Sequence, residues 1–157
     1  MAQLNLADTL DDDMNRSDSL EQLQSFCRGE MSAVETYGQA IEATNDTQII
    51  AQLRRNQASH ERRVQLLRAR IRELGGDPPE SSGPWGTFAK AVEGTASVIG
   101  EVSALSMLEE GEAHGLSDYR SDFSKLDLES QRLVADQILP EQIQTHCVLA
   151  SITRSLS

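Results

Sequence analysis

A glutamate stands where an apolar residue is expected, twice, in two segments that otherwise repeat with the period of a helix. Glu30-Met31-Ser32-Ala33 followed by Tyr37 reads Glu-x-x-small-x-x-x-Tyr, and Glu112-Ala113-His114-Gly115 followed by Tyr119 reads the same. Around the first, Leu20, Leu23, Cys27, Val34, Tyr37 and Ile41 recur at steps of three and four, as on one face of an α-helix. Around the second, Val98, Val102, Leu105, Leu108, Leu116, Tyr119 and Phe123 form the equivalent stripe. A carboxylate on a buried stripe must be partnered, because burying it alone is very costly. Each Glu precedes a His in the next helical segment: His60 comes 30 residues after Glu30, and His146 comes 34 residues after Glu112. Two helical halves built this way can aim four metal-ligand side chains into one bundle core.

The breaks between apolar stripes predict four helices. The first starts near Ser17 or Asp18 and ends near Thr44, with the turn at Asn45-Asp46-Thr47. The second carries Ile49, Leu53, Gln57, His60, Val64, Leu67, Ile71 and Leu74, and stops at Gly75-Gly76-Asp77-Pro78-Pro79. Glu30 and His60 each lie 15 residues from Asn45, so two antiparallel helices rising about 1.5 Å per residue bring them to one height. Residues 76–97 hold three of the four Pro and the only Trp, Trp85, and read as a long crossover. The third helix spans roughly 98–122 and the fourth roughly 128–156, with Leu139, Ile143, His146, Leu149 and Thr153 inward. Pro140 falls inside the fourth and should bend it. Residues 1–17, polar and rich in Asp, are expected to form a disordered tail, leaving one bundle domain over 18–156.

A net charge of −11 argues against nucleic acid as a partner, since phosphates would be repelled. Arg outnumbers Lys by 12 to 2, and seven Arg lie between Arg54 and Arg72. In an acidic chain such a basic face is expected to pair with acidic neighbours or a second subunit, which makes a homo-oligomer the expected partner. The acidic N-terminus has no apolar signal-peptide run, and no stretch reaches the roughly 20 apolar residues of a membrane span. The expectation is a cytoplasmic protein with no membrane partner. Cys27 and Cys147 lack metal or redox spacing and read as two buried, reduced thiols. No Ser- or Cys-centred triad motif and no phosphate-binding glycine loop is present, which argues against a hydrolase.

The order Glu, x-x-His, Glu, x-x-His over four helices resembles the ferritin-like superfamily, above all its rubrerythrin-like branch. Three segments resemble a bacterial family of uncharacterised ferritin-like bundles: Leu67 to Pro78, ending Leu-Gly-Gly-Asp-Pro; Gly111 to Tyr119; and the single His of the last helix. The resemblance covers residues 18–156 and implies an all-α, antiparallel four-helix bundle with a long crossover between helices two and three. Ferritin-like di-iron sites use a Glu from two helices and Glu-x-x-His from the other two. By that resemblance Glu30 and Glu112 stand for the lone glutamates and His60 and His146 for the histidines, with Glu109 available as a further oxygen donor. The Glu of each Glu-x-x-His falls on Gln57 and Ile143, so both bridging carboxylates are missing. Two Glu and two His can hold one Fe²⁺, Zn²⁺ or Mn²⁺. A second reading is a metal-free structural or interaction bundle, in which each buried Glu bonds to a Tyr or His across the core. A di-iron oxidase or peroxidase is the reading the missing carboxylates disfavour. If the core is metal-free, replacing Glu30 and Glu112 together by Gln is expected to be tolerated or mildly stabilising, since neutral amides replace buried charges.

Overall fold

The computed structural model describes residues 6–83 and 101–157, and every regular element among them is helical. Helix α1 (Leu6–Ala43) turns at Thr44-Asn45-Asp46 into α2 (Thr47–Glu73). The Asp46 carboxylate accepts from the backbone N–H of Gln48 at 2.8 Å and of Ile49 at 3.1 Å, a cap worth about 1 kcal/mol. Helix α2 ends where Gly75 turns to φ +80°, a conformation other residues resist, and the Gly76 N–H returns to the Ile71 carbonyl. Helix α3 (Glu101–Ser121) leads through a 3₁₀ turn (Phe123–Lys125) to α4 (Leu128–Leu133), whose N-terminus Asp127 caps. A π-helical turn (Val134–Ile138) joins α4 to α5 (Leu139–Ser155). Pro140 sits in the first turn of α5, beside that π turn, where the missing N–H is tolerated.

Hydrogen bonds between helices, from side chains to side chains or to backbone carbonyls, give the helix directions. Glu30 meets His60 and Val34 meets Gln57, so α1 and α2 are antiparallel. Glu30 meets Tyr119 and Tyr37 meets Glu112, so α1 and α3 are antiparallel too. Asn56 meets Thr145 and Ser59 meets Glu141, which makes α2 and α5 antiparallel. Arg70 fastens the bottom of α2 to the start of α4 through Asp127, Glu129 and Ser130.

The apolar core is in two parts. Leu23, Phe26, Cys27, Val64, Leu67, Ile71, Leu126, Val134 and Ile138 pack at one end, and Ala40, Ile49, Leu53, Leu105, Leu108, Leu149 and Ile152 at the other. Between them lies a layer of buried polar side chains: Glu30, Asn56, His60, Arg63, Glu112, Gln142 and Thr145.

Several expectations change. Helix α1 begins at Leu6, inside the segment expected to be a disordered tail, and every residue from 6 to 18 is exposed. In the last helix the inward residues are Ile138, Gln142, Thr145, Leu149 and Ile152, one position off the expected stripe except at Leu149. Cys27 is buried as expected, but Cys147 is exposed; neither is in a disulfide. The expected crossover, including Trp85, lies mostly outside the described residues. No helix among the described residues is long and apolar enough to cross a membrane.

Candidate functional site

The repeated Glu-x-x-small-x-x-x-Tyr element explains itself once α1 and α3 lie antiparallel. Two turns separate Glu from Tyr in each helix, so each Glu faces the other helix's Tyr. Tyr119 donates its hydroxyl hydrogen to Glu30 Oε1 at 2.5 Å, and Tyr37 donates to Glu112 Oε1 at 2.5 Å. His60, from α2, stands between the two carboxylates. Its Nδ1 lies 2.6 Å from Glu30 Oε2 and its Nε2 lies 2.8 Å from Glu112 Oε1. A neutral imidazole would turn a lone pair toward one carboxylate, so both nitrogens carry hydrogen and the ring is cationic.

Arg63, one turn along α2 from His60, completes the layer and is fully buried. Its Nη1 approaches Glu30 Oε1 at 3.3 Å and also bonds Gln142, while Nη2 reaches Thr145 Oγ1 at 3.3 Å. Glu112 Oε2 accepts from Gln142 Nε2 and from Thr145 Oγ1, each at 2.9 Å. Asn56 donates to the Tyr37 oxygen and to the Thr145 carbonyl, each at 3.0 Å. Gly115 is the small residue of the second repeat. A Cβ there would lie 3.1 Å from Gln142 Nε2, so glycine lets α5 approach close enough for Gln142 to reach Glu112.

The electrostatics follow from these partners. Burial, the strongest influence, opposes charge on Glu30; the Arg63 and His60 cations and the hydrogen bonds from His60 and Tyr119 outweigh it and hold the pKa below the usual carboxylate value. Glu112 is likewise lowered: His60, the Tyr37 hydroxyl and Arg63 overcome its burial. Burial also opposes charge on His60, but Glu30 and Glu112 on either side raise its pKa above the ordinary one. Tyr37 and Tyr119 are pushed well up, by burial first and then by the neighbouring carboxylate, so both stay protonated donors. Two carboxylates, one imidazolium and one guanidinium sum to zero charge.

Of the four expected ligands, Glu30, His60 and Glu112 meet at one layer. His146 does not: it is half-buried beside Ala113, Leu116, Ser117, Arg120 and Ser121, in a separate surface cleft. Ile143 is 40 % exposed, and Gln57 donates to the Val34 carbonyl at 3.0 Å. Glu109 accepts from Thr153, away from the layer. Donor type alone, two carboxylates and an imidazole, suits a single Fe²⁺, Zn²⁺ or Mn²⁺. In the arrangement seen, the imidazole separates the carboxylates and engages both, with Arg63 supplying a further cation. Among the described residues no three His, Cys, Asp or Glu are placed to hold a metal.

Arg63, Asn56, Gln142 and Thr145 are the members that sequence reasoning missed. A signal existed for Arg63 and Asn56, which flank His60 at three and four residues on its own stripe. Gln142 and Thr145 share helical spacing with Leu149 and Ile152, but the apolar Ile143 drew the expected face one residue away.

A cavity of about 290 Å³ opens beside the layer between α1 and α3, walled by Phe26, Gly29, Ala33 and Leu108 and floored by Glu30 and Glu112.

These features define a class, an all-helical bundle with a neutral polar layer through its core. The chain belongs to the family described as domain of unknown function DUF2383, which matches residues 18–124. That match takes in Glu30, Tyr37, His60, Arg63, Glu112 and Tyr119 and ends before the helix that supplies Gln142 and Thr145. No curated protein and no solved structure matches the chain.

Proposed function

We propose that this chain is a ferritin-like four-helix bundle serving as a metal-free scaffold, whose core polar network fixes one helix arrangement and whose surface meets its partners. The topology is supported by the helix directions: α1 opposes both α2 and α3, so α2 and α3 run the same way. The end of α2 and the start of α3 therefore lie at opposite ends of the bundle, as a long crossover between the second and third helices requires. The observation that carries the functional reading is the closure of the network. Each carboxylate takes protein donors on both oxygens, the imidazole bridges them, and Arg63 balances the remaining charge. Bonds to charged groups contribute about 1.5–3 kcal/mol each, comparable with the several kcal/mol that burying each ion costs. The layer therefore adds little net stability, and its role on this reading is to specify register.

A second reading is one divalent transition metal held by Glu30, His60 and Glu112. It is favoured by the convergence of those three donors and by the cavity against Glu30 and Glu112. It requires His60 to leave at least one carboxylate and give up its proton. Elemental analysis of protein purified without added metal separates the two readings. Substoichiometric metal, with a melting temperature indifferent to chelator, supports the scaffold; one ion per chain, removed by chelator with loss of stability, supports the metal centre. An oxidase or peroxidase finds no support in the geometry, since neither Gln57 nor Ile143 offers a bridging carboxylate.

A further inference from the structure

Helix α1 is longer than the bundle it belongs to. Its Ser19 hydroxyl accepts from the Asp127 N–H, and Gln22 bonds Asp122, so the far end of the bundle lies level with these residues. Glu30 is level with His60, which sets Glu73, the last residue of α2, opposite residue 17. The 12 residues Leu6–Ser17 thus project about 18 Å past the bundle at 1.5 Å per residue. On this arm Leu6, Leu10 and Met14 recur every fourth residue, so they form one apolar stripe, and they are 74 %, 56 % and 62 % exposed. Asp8, Asp11, Asp12, Asp13 and Asp18 flank the stripe, against a single Arg16.

The matching surface is on the outer face of α2. Arg55, Ala58, Arg62, Gln65 and Ala69 follow steps of three and four and are all exposed. The alanines make shallow recesses between long side chains. Arg62 on this face already pairs with Glu141 and the exposed Glu61 borders it, whereas Arg54 and Arg55 are exposed and make no ion pair among the described residues. An acidic arm with an apolar stripe complements a basic face with small residues.

An arm cannot reach this face on its own chain. Residue 12 lies at the centre of the arm, and Arg62 is level with residue 28, so the two are about 24 Å apart along a continuous helix. We propose that the arm docks on α2 of a second copy of this chain, in a reciprocal twofold dimer in which each arm crosses to the partner. Met14 seats against Ala58, and since a twofold makes the arm run in the same sense as the partner's α2, Asp11 and Asp12 come level with Arg54 and Arg55. This deepens the scaffold reading by naming its partner, and it stands or falls apart from the metal question, because the arm lies outside the core.

Sedimentation velocity of the full chain, from about 1 µM to about 100 µM, brackets a dimer of moderate affinity. The unaltered chain is expected to shift from monomer to dimer across this range, less so at high salt. The triple variant L6S/L10S/M14S should stay monomeric with an unchanged melting temperature. Charge reversal by D11R/D12R, or by R54D/R55D, should each weaken the dimer about tenfold, and combining all four should restore most of the loss. A chain that stays monomeric throughout, or a dimer that survives the triple serine variant, overturns the arm as the contact. A dimer lost in that variant but indifferent to both charge reversals overturns α2 as its seat.

Discussion

Arg63 sets the sign of substitutions in the core layer. Read from the sequence, where Arg63 is one of seven arginines expected to pair with acidic neighbours or a second subunit, exchanging Glu30 and Glu112 for Gln looks harmless. With a buried guanidinium beside them, the same exchange strips Arg63 and His60 of their counter-charges. The double Gln variant is expected to lose about 3–5 kcal/mol in urea unfolding, and Arg63→Met a similar amount, since each leaves buried charge unpaired. Pairing Arg63→Met with Glu30→Gln restores neutrality, so the double variant should be more stable than the sum of the single losses by at least about 1 kcal/mol. The pH dependence follows from the same groups. The contributions of Glu30 and Glu112 are complete above their ordinary value of 4.5 and vanish as pH falls through their lowered folded values. That of His60 is complete below its ordinary value of 6.5 and is lost as pH rises through its raised folded value. Melting temperature should therefore peak between these limits and decline on the alkaline side, and His60→Gln should flatten that alkaline decline. Glu30, His60 and Glu112 were legible in the sequence because each interrupts an apolar stripe. Arg63 was hidden by its company.

At the scale of the helix, what the sequence made legible depends on how the break between elements is written. The Asp46 cap and the Gly75 stop carry local chemistry, and the α1–α2 hairpin lies where they place it. The last helix carries no such marker for its facing. Its π turn accommodates an extra residue between Val134 and Ile138, and the side chains beyond it face the core as Gln142, Thr145 and Leu149. An apolarity count favours Ile143, whereas the buried carboxylate of Glu112 needs donors, and that need decides the register. Replacing Gln142 by Ala or Thr145 by Val should accordingly cost about 1–3 kcal/mol each, by leaving Glu112 short of a partner. Ile143→Ser and His146→Ala should fall within about 0.5 kcal/mol of the unaltered chain. Thermal or urea unfolding of these four variants reads the register directly. The reverse pattern would restore the facing in which Ile143 and His146 point inward.

Among the described residues the molecule is organised about its middle, with two apolar clusters separated by one neutral polar layer to which α1, α2, α3 and α5 each contribute. The order of the described helices and the α1–α2 hairpin were legible because hydrophobic period and turn chemistry are local. The closure of the layer was not, because it depends on which donors arrive from three other helices. The most direct test of that closure is the melting temperature of metal-free protein, measured with added Zn²⁺, Fe²⁺ or Mn²⁺. A closed network predicts no change, since His60 and Arg63 already supply the positive charge. A resident metal site at a hundredfold excess over its dissociation constant would add about 2.7 kcal/mol. In a chain of this size that is a rise of roughly 5–10 °C. A rise of that order, saturating at one ion per chain and absent in the Glu30→Gln, Glu112→Gln variant, would contradict the metal-free scaffold.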